Sequence, residues 1–241
     1  IQFISIKSNE NSQNIFFKYN KKNYNVQIPL IGLFQIKNLF MSILAAKLSG
    51  VKIKKILNSI KSIKKVNGRL ELIKTTPNET KIFIDYAHTP DALETTLKAI
   101  KLHYKVKPIV VFGCGGERDK KKRTQMGNIC EKNAKKTYVT DDNPRNENPK
   151  LIRQMIMSGF SRKLTVTEIA SRTEAIETAI TESKPNSIIL IAGKGHETTQ
   201  TYGKRITNIS DKEIVKNISK KKIKFDKKTY NKIFNSKIIE K

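Results

Sequence analysis

Between residues 81 and 192 the sequence alternates short apolar runs with helix-length amphipathic stretches, and this alternation limits the fold more than any other feature. The runs 81–85, 108–112, 137–140 and 187–192 have strand length, and 165–169 is a further candidate. Between them, 90–103, 121–134, 149–160 and 173–182 carry helical spacing. Strands separated by helices of this length cannot pair as hairpins, so the pattern predicts an α/β fold with a mostly parallel sheet and helices on both faces. Open sheets of this kind bind ligands outside the carboxyl ends of their strands. The loops after the apolar runs are therefore where a site is expected.

Three of those loops are polar or glycine-rich. Residues 140–149 read Thr-Asp-Asp-Asn-Pro-Arg-Asn-Glu-Asn-Pro. Carboxylates and an amide can hold cations or amines, and a guanidinium can grip a carboxylate through two parallel hydrogen bonds. The loop reads as a receptor for a zwitterion such as an amino acid, or as an ordinary polar turn, since Asp, Asn and Pro are common turn formers. After 108–112 comes Gly113-Cys114-Gly115-Gly116-Glu117-Arg118-Asp119, which is either a weak phosphate loop or a tight turn. Arg118 at its mouth can pair with a carboxylate or phosphate. After 187–192 comes Gly193-Lys194-Gly195-His196-Glu197, on the same expected edge. Asp85 closes the run 81–85, where it could accept ribose hydroxyls or cap the helix that starts at Pro90.

Residues 1–30 alternate differently. Apolar runs at 1–6, 15–17 and 24–28, separated by Asn and Lys clusters, predict a small antiparallel sheet. Helices are expected at 37–48, stopped by Gly50, and at 53–63, with a domain boundary near Gly68. The tail beyond Asp226 is rich in Lys and Asn and is expected to fray. The net charge of +27 invites a nucleic-acid reading. However, the lysines are scattered beside Ile and Asn in every segment, a pattern that AT-rich codons produce without any polyanion partner, so no specific nucleic-acid binding is expected. Cys114 and Cys130 form no disulfide framework and have no metal-ligand spacing. No signal peptide or membrane span is evident. The first residue is Ile1, not Met, which suggests a fragment or processed product.

With these motifs in hand, the chain resembles the Mur ligases, and among them the members that add meso-diaminopimelate. The strings that carry the resemblance are GRLE at 68–71, DYAHTPDALE at 85–94, FGCGGERD at 112–119, DDNPRNENP at 141–149 and AGKGHE at 192–197. The resemblance implies a Rossmann-like C-terminal amino-acid-binding domain over 68–241, preceded at 1–67 by the end of a central ATPase domain. It implies a cytoplasmic, ATP-dependent ligase of peptidoglycan precursor synthesis. ATP would phosphorylate the carboxylate of UDP-MurNAc-L-Ala-D-Glu, Mg²⁺ would bridge the phosphates, and the incoming amine would attack the acyl phosphate. Partners would be small molecules, with neither nucleic acid nor membrane.

Residue by residue, the resemblance assigns Arg118 to the amino acid's carboxylate. It gives Asp142, Asn143, Pro144 and Arg145 to the loop that selects meso-diaminopimelate, and Gly193 and Glu197 to further contacts with it. Arg69 and Asp85 resemble the pair facing the base and ribose of ATP, and Asn38 the second Asn of a GxxNxxN element. The sequence departs from the pattern at Gln35, where the first Asn of that element is expected; its amide sits one methylene further out. The family's GTNGKT-type phosphate loop, its metal-binding Glu and His and its carbamylated Lys are not among the 241 residues. The chain by itself is therefore expected to form no tripeptide. The alternative is a truncated or decayed, non-catalytic amino-acid-binding module.

Overall fold

The computed structural model describes residues 1–10 and 12–218. The expected fraying beyond Asp226 lies outside the described residues. Three antiparallel strands come first: β1 (Gln2–Ser8), β2 (Gln13–Tyr19) and β3 (Lys22–Ile28), in that spatial order. Helices α1 (Leu33–Leu48) and α2 (Ile53–Ile60) cover one face, with Ile15, Phe17, Ile36, Leu39, Ile43 and Ile56 between the layers. Helix α1 starts four residues before the expected Lys37, and the amides of Gln35 and Ile36 already donate to the Gly32 carbonyl.

The remainder builds one six-stranded sheet. In chain order its elements are β4 (Glu71–Thr75), β5 (Lys81–Asp85), α3 (Pro90–Tyr104), β6 (Ile109–Phe112), α4 (Lys121–Asn133), β7 (Lys136–Val139), α5 (Pro149–Met157), β8 (Val166–Glu168), α6 (Arg172–Thr181) and β9 (Ile188–Ala192). A hairpin, β10 (Thr199–Tyr202) and β11 (Arg205–Asn208), and helix α7 (Asp211–Asn217) follow. The spatial order is β4-β5-β9-β6-β7-β8, parallel throughout except at the edge strand β4.

Side-chain alternation explains why both faces are covered. Phe83, Val110, Phe112 and Leu190 point into the core beneath α3, α4 and α5, whereas Ile82, Ile84, Val111, Ile189 and Ile191 point to the side of α6 and α7. A strand buried on both faces reads as an unbroken apolar run, as Ile188–Ala192 does. Helix α5 stops at Met157, short of the expected Phe160. Gly159 there lies against α4, where an added Cβ would sit 2.3 Å from the Thr124 carbonyl oxygen.

Between the two parts, Ile31 and Phe34 join the core around α3, Lys81 pairs with Glu10 at 3.0 Å, and Tyr104 OH donates to the Glu10 carbonyl at 3.1 Å. No helix among the described residues is long and apolar enough to cross a membrane.

Candidate functional site

The carboxyl ends of β6, β7 and β9 lie side by side, so their three polar loops converge. The loop after β6 lies directly on the loop after β7. Gly116 N donates to the Asn143 carbonyl at 2.9 Å, and Arg145 Nη1 donates to the Gly116 carbonyl at 2.8 Å. An added Cβ at Gly116 would fall 1.8 Å from the Pro144 carbonyl oxygen, so no larger residue fits there. Gly113 and Gly116 thus serve close backbone packing against the β7 loop, the tight-turn reading, while Gly115 lines the cavity beside the Arg145 side chain. Arg123 locks the same two loops from below: its side chain is 1% exposed, and its fork reaches Glu147 at 2.9 and 3.0 Å.

The hairpin β10–β11 straps the β7 loop from the other side. Gln200 Nε2 donates to the Asp142 carbonyl at 2.6 Å, Thr201 N to Asn143 Oδ1 at 3.1 Å and Tyr202 OH to Asp141 Oδ2 at 2.8 Å. Arg145, held in the left-handed region at φ 52, donates from its own amide to Thr201 O and accepts from Gly203 N. Asp141 is also bound by the buried fork of Arg153. Neither Asp141 nor Glu147 is therefore left to brace Arg145.

A cavity of about 390 Å³ opens between the loops, lined by Arg118, Asp142, Asn143, Arg145, Gly193 and Glu197. Pro144 is buried behind it. Arg118 and Arg145 bond only to backbone carbonyls and, among the described residues, neither forms an ion pair. The carboxylates of Asp142 and Glu197 line the same cavity. Glu197 Oε2 accepts from Asn143 Nδ2 at 3.2 Å and pairs with Lys194 Nζ at 3.3 Å. Two guanidiniums without acidic partners and two carboxylates in one cavity suit a ligand that carries both carboxylates and ammonium groups.

A second cavity of about 330 Å³ adjoins the first, and Tyr86 and His88 line both. It contains Arg69, whose guanidinium lies 4.5 Å over the Tyr86 ring, and Asp85. Asp85 does not cap α3. That task falls to Thr89, whose side chain accepts from Ala92 N. Asp85 is 5% exposed and accepts from Leu70 N at 2.6 Å, Ala87 N at 2.8 Å and Thr96 Oγ1 at 3.4 Å. Burial raises its pKa, while those amides and the Arg69 charge oppose the rise. Asn38 is on the exposed side of α1 and does not line this cavity, and Gln35 is buried on the same helix.

The Arg123–Glu147 lock carries a pH signature. The guanidinium holds the Glu147 carboxyl well below its usual range, at about 2. A carboxyl whose pKa falls on folding stabilises the fold above its unfolded pKa, and that contribution is lost as pH drops through the folded value. Glu147→Gln is expected to cost about 1.5 kcal/mol at neutral pH, and the gap from the parent should close between about pH 4.5 and pH 2. Denaturant melts across that range check this, and a gap that stays constant with pH would refute it.

Lys194 was not singled out from the sequence. It is fully buried, and its Nζ joins Asn143 Oδ1 to Glu197 Oε2, tying two of the loops together. The signal was available, because a lysine between two glycines at a strand end has to go somewhere. Tyr86 and His88, which also line the first cavity, follow the strand-length run 81–85 and could have been found from that position, whereas Lys122 on α4 had no such signal.

Residues 68–195 match a family model described as Mur ligase, glutamate ligase domain. The chain is 46% identical over 219 residues to a UDP-N-acetylmuramoyl-L-alanyl-D-glutamate–2,6-diaminopimelate ligase from Rickettsia montanensis, covering 90% of this chain and 44% of that one. A Buchnera aphidicola protein of the same name is 43% identical over 223 residues, with 92% and 45% covered. The chain thus spans less than half the length of these curated relatives. Among solved structures, a ligase of that name superposes with a TM-score of 0.66 at 30% identity, covering 92% of this chain and 44% of that chain. A Mycobacterium tuberculosis folylpolyglutamate synthase, 17% identical and with a TM-score of 0.64 over 79% of this chain and 44% of that one, shares the fold.

Proposed function

The chain belongs to the Mur ligase family, and from that membership we propose that it supplies the amino-acid-binding half of an ATP-dependent ligase that adds meso-diaminopimelate to UDP-MurNAc-L-Ala-D-Glu in peptidoglycan precursor synthesis. In this reading residues 68–241 form the amino-acid-binding domain, and 1–67 the last part of a central ATP-binding domain. The observation that carries it is the first cavity, which Arg118 and Arg145, without acidic partners among the described residues, line together with Asp142 and Glu197. Meso-diaminopimelate has a carboxylate and an ammonium group at each end. One end is held by Arg145, with Glu197 available to the ammonium, and Arg118 receives a carboxylate at the other. The relatives' names agree with this choice of amino acid.

The adenosine end of ATP goes to the second cavity, beside Arg69 and Asp85, with Asn38 outside its lining, four residues along α1 from Phe34, which does line it. In the reaction ATP phosphorylates the substrate carboxylate. The amine of the amino acid then attacks the acyl carbon, phosphate leaves and the amine gives up a proton as the amide forms. Walls shared through Tyr86 and His88 bring the two ligands together. Among the described residues no three acidic, histidine or cysteine side chains are grouped to hold a metal ion. The described residues therefore offer no three-ligand Mg²⁺ site of their own.

Turnover requires a phosphate loop that the 241 residues do not contain, so binding is the property to test in the chain itself. Titration calorimetry is expected to show meso-diaminopimelate binding at least about tenfold tighter than L-lysine, because lysine leaves one guanidinium unpaired. Equal affinities, or no binding of either, would overturn the assignment.

A further inference from the structure

Arg172 opens α6 and Asp211 opens α7, and both side chains are 0% exposed. Arg172 Nε and Nη2 donate to the two Asp211 oxygens at 2.7 and 2.8 Å, and Nη2 also donates to the Ala192 carbonyl at 3.0 Å. Nη1 is buried and has no partner. A planar guanidinium that gives Nε and Nη2 to one carboxylate turns Nη1 away from it.

As a stability device this pair is a poor choice. Well-packed apolar residues of similar volume often serve as well as a buried ion pair, and an unsatisfied buried donor adds a further cost. Its contacts indicate a different use. Ala192 is the last residue of β9, and Gly193 follows at φ 111, a conformation that favours glycine. Gly193 lines the first cavity so close to Asp142 that an added Cβ would lie 3.1 Å from Asp142 Oδ2. After Asp211, the carboxylates whose charges act on Arg172 are Asp142 and Glu197, on two different loops of that cavity.

We propose that the Arg172–Asp211 pair is a positioning device for the first cavity: it fixes the exit of β9 through the Ala192 carbonyl and so sets where Gly193 and Glu197 meet Asp142. Its consequence for ligand rests on reading the cavity as an amino-acid site. Arg172 itself is no part of the lining and acts through the loop.

The test replaces the pair with apolar residues, Arg172→Met with Asp211→Val, in the full chain, with Arg172→Lys as a second variant that keeps the charge but cannot reach Asp211 and Ala192 together. Both are expected to fold with a Tm near the parent's. The hydrogen-bonded amides of Gly193 and Glu197 should exchange about tenfold faster in the double variant and less so in the lysine variant, and meso-diaminopimelate should bind about tenfold more weakly. Unchanged exchange at these amides in a folded variant would overturn the positioning role, as would an unchanged affinity for meso-diaminopimelate. If instead the parent chain does not bind meso-diaminopimelate, the reading of the cavity fails, and the exchange measurement, which contains no ligand, still decides the positioning. Loss of folding by both variants would show that the pair serves stability and would also overturn the proposal.

Discussion

Replacing Arg145 with alanine is expected to weaken binding of meso-diaminopimelate by about 100-fold while changing the affinity for L-lysine by less than about threefold. The two amino acids differ by one carboxylate on the distal carbon. A charge-assisted, two-pronged contact with that carboxylate is worth about 1.5–3 kcal/mol, and the analogue that lacks it gains nothing from the guanidinium. Arg145 is well placed for this role, since Asp141 and Glu147, which flank it in sequence, are taken by Arg153 and Arg123. Its own bonds are to the carbonyls of Gly116 and Asn143, which leave its charge unneutralised. Those bonds also brace the loop, so two controls separate the roles. Arg145→Lys keeps the charge without the planar fork and should recover only part of the preference. The lysine affinity reports any general loosening of the cavity. If Arg145→Ala discriminates between the two amino acids as the parent does, the residue is only a brace.

Gly116→Ala is expected to be the more damaging change to the fold, costing about 3 kcal/mol, at the upper end of what overpacking produces. The new Cβ would meet the Pro144 carbonyl oxygen at 1.8 Å and its carbon at 2.7 Å, both backbone atoms, so neither can swing aside. The loops after β6 and β7 must part, which breaks the bonds from Gly116 N to Asn143 and from Arg145 to Gly116. Chemical denaturation should show a lower midpoint, and calorimetry the loss of meso-diaminopimelate binding. Alanine at Gly50, which has open space around it, is the comparison for a glycine substitution without a clash, although its φ of 86 carries a smaller backbone strain of its own. A Gly116→Ala chain that keeps the parent's midpoint and affinity would show that the two loops are not packed as described.

The central strands β5, β6 and β9 were legible because each is built on an apolar run, and the helices between them because their spacing is helical. Strands β4, β10 and β11 were not. Glu71–Thr75 is a half-buried edge strand, and Thr199–Tyr202 and Arg205–Asn208 are four-residue, largely polar strands whose pairing is fixed by their neighbours. The two-residue Gly203-Lys204 link was a usable turn signal. Helix α7 also had one: Ser210 and Glu213 make a serine-to-glutamate capping pattern, and the Ser210 side chain does accept from Glu213 N. In the site, Arg118, Asp142, Asn143, Arg145, Gly193 and Glu197 could be assembled from strand-end loops, because a parallel sheet brings such ends to one edge. Arg172 and Asp211 could not, since burial of a charge pair depends on packing between elements far apart in sequence.

The place of β9 in the sheet also sets an order of events. β5 and β6 follow one another in the chain but share no ladder, because β9 lies between them and pairs with both. Until residues 188–192 exist, the sheet can form only as two separate pieces, β4-β5 on one side and β6-β7-β8 on the other. During synthesis each piece waits with a bare apolar edge, the situation in which nascent sheets are most prone to pair wrongly. The strand that closes this seam is also the one that delivers Gly193 and Glu197. Closing the seam and bringing those two residues to the pocket are therefore one event, while the hairpin that braces the β7 loop follows it in the chain.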